Sequence, residues 1–190
     1  MSYKDKGREI HKLLNIGTKA PDFQLDTVSS FSSLPIPASL EQYKGKWLIL
    51  FFYPFDFSIV CPTEIKVMNS YLPKFEELNT EVLAISTDSI YSHRAWLKAD
   101  HPNAIGQIDL TLASDYKKEA AQAYDVLDSK TGAAYRALYI IDPDGCIQYA
   151  TMTNQNVGRS AAETVRVLQA LQTGGLCPMD WALGDQTLEV

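Results

Sequence analysis

The stretch at residues 47–65, WLILFFYPFDFSIVCPTEI, decides how the rest of the chain is read. Its first seven residues are apolar without a break and rich in Ile, Phe and Tyr, which favours a buried strand, and Pro54 ends it. After Cys61 and Pro62, the residues Ile65, Met68, Leu72, Phe75 and Leu78 recur near helical spacing, with Glu76 and Glu77 facing away. A helix therefore follows the strand, and Pro73 should kink or interrupt it. Proline is favoured at the first helical position, so Cys61 stands at or within one residue of the helix start.

Working outward, EVLAIST at 81–87 is a second buried strand. Asp88-Ser89 caps a helix that carries Tyr91, Ala95 and Leu97. A short strand at 110–113 leads into a helix at 116–126, capped by Ser114 or Asp115. The runs YRALYII and CIQYATM flank Asp142-Pro143-Asp144-Gly145 and form a hairpin. SAAETVRVLQALQ, 160–172, opens with a Ser-x-x-Glu capping box and ends at Gly174-Gly175. Ahead of all this, 1–15 is an arm, and the prolines and serines from Pro21 to Pro37 mark an irregular lead-in. Alternating strands and helices call for parallel crossovers, and the closing hairpin adds antiparallel strands. The expectation is an α/β domain at 16–172 with a mixed central sheet flanked by helices, followed by a tail at 173–190. The thioredoxin fold is one arrangement of this kind, and periodicity alone does not single it out.

The net charge is −6 with acids scattered along the chain, which supports solubility and argues against nucleic-acid binding. No window approaches the roughly 18 apolar residues of a membrane span, and the first residues lack a signal-peptide core, so a cytoplasmic protein is expected. In a reducing compartment, Cys61, Cys146 and Cys177 are structural thiols, metal ligands or redox groups. There is no Cys-x-x-Cys or Cys-x-x-His, and His11, His93 and His101 show no ligand spacing with the cysteines, so neither a metal nor another cofactor is expected.

At the start of a helix, unpaired backbone N–H groups and the positive end of the dipole favour a thiolate, the reactive form of cysteine. A buried inert thiol is the commoner fate of a lone cysteine. The polar residues around Cys61 argue against it. The segment PFDFSIVCPTE closely resembles the peroxiredoxin signature Pro-x-x-x-Thr/Ser-x-x-Cys, with Pro54, Ser58 and Cys61 at its fixed positions. Asp56, Phe57, Val60, Pro62, Thr63 and Glu64 also follow the typical two-cysteine subgroup. Ser58 stands where threonine is usual and keeps the hydroxyl, losing only a methyl that restricts the rotamer.

That resemblance implies a thioredoxin-like fold and a peroxidase. Cys61 would attack one oxygen of a peroxide, Ser58 would bond the peroxide oxygens, and Pro54 would shield the pocket from water. Arg136 matches the arginine placed beside the thiolate, where it would favour the charged sulfur and polarise the peroxide. Without the resemblance, Arg136 reads as an edge-strand surface residue. Glu64 either orients Arg136 or simply caps the first helical turn. Arg159 either supports the same network or is a surface residue before a helix. Trp96 matches a subgroup tryptophan and reads more simply as a core aromatic.

The tail LCPMDWALGDQ resembles the family's Val-Cys-Pro-x-x-Trp segment, which holds the resolving cysteine, and Cys177, Pro178 and Trp181 match. The resemblance implies that Cys177 closes a disulfide with the Cys61 sulfenic acid of another subunit. It also implies a head-to-tail homodimer, a further ring of dimers, and reduction by thioredoxin or a dedicated disulfide reductase. In a short tail, local opening is cheap and Cys177 is expected to be exposed. Cys146, just after the hairpin turn, matches no functional position and reads as a half-buried structural thiol. Two departures stand out: Asn103-Ala104-Ile105-Gly106 replaces a Gly-Gly-x-Gly segment, and the chain stops thirteen residues after Cys177, without the Tyr-Phe helix. Both point to an enzyme that resists over-oxidation. A thiol-disulfide oxidoreductase would need Cys-x-x-Cys, and Glu64 stands at the second position after Pro62. A chaperone or redox-signalling role needs none of Ser58, Cys61 and Arg136 together.

Overall fold

The computed structural model describes residues 16–31 and 34–189, so the expected arm lies outside the described residues. The decisive stretch forms β3 (Trp47–Phe52) followed by α1 (Cys61–Ser70) and α2 (Leu72–Glu77). The helix breaks at Tyr71, with Pro73 inside the first turn of α2, because proline takes away a helical donor and tolerates only that position.

β3 lies inside a seven-stranded sheet and is covered on both faces. Ile49, Phe51 and Tyr53 pack with Cys61, Ile65, Met68, Phe75, Trp96 and Leu168 in one core. Leu48, Leu50 and Phe52 pack with Leu25, Ala121, Tyr124 and Tyr139 in the other. The period of two sends alternate residues to opposite faces, and a strand apolar on both is one with cover on both. β4 (Thr80–Ser86) and β5 (Thr111–Ser114) run parallel, β4 beside β3 and β5 beside β4. β6 (Arg136–Ile141) pairs antiparallel with β3 on its other side, and β7 (Ile147–Thr153) closes the hairpin at the sheet edge. In the hairpin turn, Asp142 Oδ1 accepts the N–H groups of Asp144 and Cys146 at 3.0 and 2.8 Å.

The lead-in is more regular than expected. β1 (Gln24–Val28) pairs antiparallel with β5 and with β2 (Ile36–Ser39), giving the order β2-β1-β5-β4-β3-β6-β7. Its prolines are compatible with strand because β2 is an edge strand, where a missing N–H costs no ladder bond. α3 (Ile90–Lys98) is capped by Ser89, whose hydroxyl accepts from Ser92 N at 3.2 Å. α4 (Glu119–Ala123) is shorter than expected: Lys118 has φ +66°, and Asp115 accepts from Ala120 N and Ala121 N at 3.1 and 2.7 Å. α5 (Ala161–Thr173) begins with Ser160 accepting from Glu163 N and stops at Gly174, φ +66°. The Glu163 carboxylate turns to Arg166 instead of back to the cap, so only half of the expected capping box forms. This is the expected mixed α/β, thioredoxin-like fold, with β3 delivering the loop at 54–60 and then α1.

Candidate active site

Cys61 is the first residue of α1, and its side chain is 0% exposed. The first turn closes through Thr63 N and Glu64 N, which both donate to Val60 O at 3.1 and 3.3 Å. Pro62 has no N–H to place there.

The cation faces the sulfur from the start of β6, on the sheet face that α1 covers. Arg136 Nη1 donates to Cys61 Sγ at 3.2 Å and to Glu64 Oε2 at 2.7 Å, while its Nε donates to Gln155 O at 2.7 Å. At 4% exposure, Arg136 is no surface arginine. Burial of a guanidinium needs a counter-charge and acceptors for its fork, and this geometry supplies both.

Glu64 does more than cap. One oxygen meets Arg136, and the carboxylate as a whole also meets Arg159, through Nε at 2.8 Å, Nη2 at 3.0 Å and the Arg159 backbone N–H at 2.9 Å. Burial alone would raise the Glu64 carboxyl above its ordinary 4.5; the hydrogen bonds and charge of Arg159, then the charge of Arg136, outweigh it and hold the group lower. Arg159 is buried as well. Its Nη1 donates to Phe52 O at 2.8 Å and Ala137 O at 2.7 Å, and its Cζ lies 3.5 Å from the centroid of the Phe51 ring. Desolvation pulls Arg159 below its usual value, opposed by its bonds and attraction to Glu64. Arg159 thus ties the end of β3 and the start of β6 to the first turn of α1.

Pro54 is buried and Ser58 half-buried on the loop between β3 and α1. The Ser58 hydroxyl donates to Phe55 O at 2.9 Å, which fixes its place on the loop. Trp96, fully buried, packs at 6.0 Å from both Tyr53 and Phe57 and donates from Nε1 to Asn103 O at 2.8 Å, the core role its sequence context favours. One pairing around the loop lay outside the sequence reading. Asp56 and His93 form a buried pair at 2.9 Å, and only the placement of α3 over the end of β3 brings them together.

Cys177 lies just beyond α5. It is half-buried, with its sulfur 3.4 Å from Thr173 Oγ1 and 3.7 Å from Ala170 O. The tail is more firmly held than its length suggests. Trp181 is 3% exposed, its carbonyl accepts from Arg166 Nη1 at 2.9 Å, its Nε1 donates to Asp185 O at 3.1 Å, and Leu188 N donates to Leu176 O at 2.8 Å. Trp181, the aromatic residue of the tail, was the signal for that anchorage. Cys146 is half-buried, its backbone bridged to Lys19, in keeping with a structural thiol. Cys61, Cys146 and Cys177 are all free thiols.

A cysteine whose sulfur takes a guanidinium N–H at the head of a helix, backed by a buried carboxylate and a second guanidinium, sits where oriented donors can meet negative charge on the sulfur or on an oxygen bound beside it. The chain is similar to known proteins. The model of the AhpC/TSA family matches residues 16–150. The putative peroxiredoxin YkuU of Bacillus subtilis is 45% identical over 91% of this chain and 97% of its own length. The chloroplastic 2-Cys peroxiredoxin BAS1 of spinach is 43% identical over 92% of this chain and 67% of its own. Among solved structures, the reduced 2-Cys peroxiredoxin of Plasmodium vivax superimposes with a TM-score of 0.87 at 36% identity, covering 90% of this chain and 91% of that one. AhpC of Mycobacterium bovis does so with 0.78 at 34% identity, covering 89% and 98%. With its fold, its cysteine environment and these relatives in agreement, the chain belongs to the AhpC/TSA family and is a peroxiredoxin enzyme.

Proposed function

We propose that this peroxidase reduces hydrogen peroxide and organic hydroperoxides by a two-cysteine cycle that starts at Cys61 and is completed by Cys177. The observation that carries the reading is the 3.2 Å contact from Arg136 Nη1 to the Cys61 sulfur, with Glu64 neutralising the cation behind it. The Cys61 thiolate attacks one peroxide oxygen and the O–O bond breaks. The departing oxygen leaves with the electron pair and takes a proton as water or alcohol, and sulfur, oxidised by two electrons, becomes a sulfenic acid. Arg136 donates a hydrogen bond to the oxygens as charge develops on them, the Ser58 hydroxyl turns from Phe55 O to do the same, and buried Pro54 keeps bulk water from the pocket. Glu64 and Arg159 hold Arg136 in place, and Trp96 supports the loop from below.

The Cys177 thiolate of a second subunit then attacks the Cys61 sulfur, an S–S bond forms and water leaves. A thioredoxin-type reductant returns the disulfide to two thiols. The open edge of β7, with exposed Met152, supports a homodimer. Exposed Phe55, Phe57 and Ile59 support assembly of dimers into a ring. No helix among the described residues is long and apolar enough to cross a membrane, and a cytoplasmic site of action is part of the proposal.

The test is peroxide consumption by wild type, Cys61→Ser and Cys177→Ser, each with a thioredoxin-type reductant and with a small thiol. No turnover is expected for Cys61→Ser under either condition, and turnover only with the small thiol for Cys177→Ser. Equal activity of all three proteins would refute the cycle.

A further inference from the structure

We propose that His93 is a positioning residue for the peroxide pocket, clamping the loop at 54–60 through Asp56 and thereby setting where Pro54 and Ser58 stand relative to the Cys61 sulfur. The inference rests on the peroxidase reading above and concerns residues to which that chemistry gives no part.

His93, 0% exposed, projects from α3 under the loop. Its Nδ1 lies 2.9 Å from Asp56 Oδ2 and its Nε2 3.2 Å from Ala113 O on β5. Both ring nitrogens thus lie within hydrogen-bond reach of an oxygen, which fixes the ring on two sides. The Asp56 carboxylate also accepts from Tyr53 Oη at 2.9 Å and from Ser92 Oγ at 2.7 Å. The Asp56 backbone N–H donates to Asp88 Oδ2 at 3.0 Å, and Asp88 in turn accepts from Ser86 Oγ at 2.7 Å. A single loop residue is therefore tied to the end of β3, the end of β4 and α3, with β5 reached through the imidazole. Burial, and next the charge of Asp56, holds the Tyr53 phenol well above its ordinary 10.0, so it stays a donor.

A buried polar pair is a poor device for stability, since desolvation offsets most of its attraction; its better-attested use is to specify one conformation among several. The conformation specified here is strained. Phe57, next to Asp56, has φ +55°, a left-handed value that strains a bulky residue and persists only where neighbours over-determine it. Asp56 fixes one side, and the ring of Phe57 rests against Trp96 at 6.0 Å on the other. Ser58 follows directly, so the direction of its hydroxyl is inherited from that turn. The clamp shares no residue with the Glu64, Arg136 and Arg159 cluster. The two can be perturbed separately.

The experiment uses the full chain with His93→Phe, His93→Gln and Ser92→Ala. It compares two rates at Cys61: oxidation by hydrogen peroxide in a single turnover, and alkylation by iodoacetamide followed on the Cys61 peptide by mass spectrometry. Alkylation needs a reactive sulfur but no peroxide pocket. Misplacing reacting groups by about 1 Å costs up to about 100-fold, so His93→Phe should lose at least about tenfold in peroxide rate while alkylation changes less than about twofold. His93→Gln, which keeps a donor for Asp56, should recover most of the loss. Should His93→Phe fail to fold, Ser92→Ala decides, with an expected loss of about threefold in the peroxide rate alone. Peroxide rates within about twofold of wild type in the folded variants, or equal losses in both rates, would overturn the proposal. A wild type that does not reduce peroxide would overturn the peroxidase reading and this one with it, an outcome visible before any variant is compared.

Discussion

Arg136 and Glu64 meet at 2.7 Å between Nη1 and Oε2, and it is the same nitrogen that reaches the Cys61 sulfur at 3.2 Å. The carboxylate therefore aims the guanidinium while neutralising it, and the remaining N–H groups are left for carbonyls and for substrate.

Lysine cannot copy this. A single ammonium on a flexible stem has no fork to serve Glu64, Gln155 and the sulfur at once. Arg136→Lys is expected to lower kcat/KM for hydrogen peroxide by about 100-fold to 1,000-fold, the usual cost of one oriented donor to a developing anion. Stopped-flow oxidation of the reduced protein checks it, and a loss under about threefold would count against Arg136 as that donor.

Glu64→Gln leaves two buried guanidiniums without their shared counter-charge and should destabilise the fold by about 3–5 kcal/mol. The pH dependence follows from the lowered Glu64 carboxyl. Because its folded value lies below the ordinary 4.5, its contribution is complete above that pH and is lost as pH falls through the folded value. The gap between wild type and Glu64→Gln in urea midpoint should thus stay constant from about pH 7 to about pH 5 and narrow only below.

Arg159→Met removes the ties to Phe52 O, Ala137 O and Glu64, and leaves two buried carbonyls short of a donor. A loss of about 3–5 kcal/mol in urea unfolding is expected. The peroxide rate should suffer less than in Arg136→Lys, since Arg159 touches the sulfur's partners and not the sulfur.

The tail gives a different kind of prediction. Trp181→Ala deletes its buried anchor, and Gly175→Ala places a Cβ 2.9 Å from Thr187 Cγ2 where the two strands of the tail approach. Either change should raise proteolytic cleavage within 176–188 and alkylation of Cys177 by about tenfold, with little change in melting temperature, because the tail opens as a local unit. Unchanged cleavage would mean that Trp181 holds nothing in place.

β3, the hairpin at Asp142 and the break near Pro73 were legible because each rests on a local rule: an unbroken apolar run, turn residues and a missing N–H. β1 and β2 were not, since Leu25 and Thr27 turn inward between polar neighbours, and the prolines lie where only an edge position tolerates them. In the site, Cys61 could be placed from Pro62 alone. The capping and pairing readings of Glu64 could not be told apart, because its partners lie 72 and 95 residues away and only the closed sheet brings them in. For Arg159 the surface and network readings were equally open for the same reason. The Asp56 and His93 pair left no trace in the sequence: a histidine on an amphipathic helix carries no mark of what loop will settle over it.

In the proposed cycle, the complete burial of Cys61 would limit the pace of the disulfide step. A small peroxide can come to the sulfur, but a second thiol carried on a polypeptide cannot, so the sulfur must be carried out to it. β3 is locked on both faces and will not yield, which leaves the first turn of α1, held by two bonds to Val60 O. Fraying of that one turn acts as a timer. In that cycle it would set how long the oxidised sulfur stays within reach of a second peroxide, so a substitution that tightens the turn would lengthen the exposure of the enzyme to its own substrate.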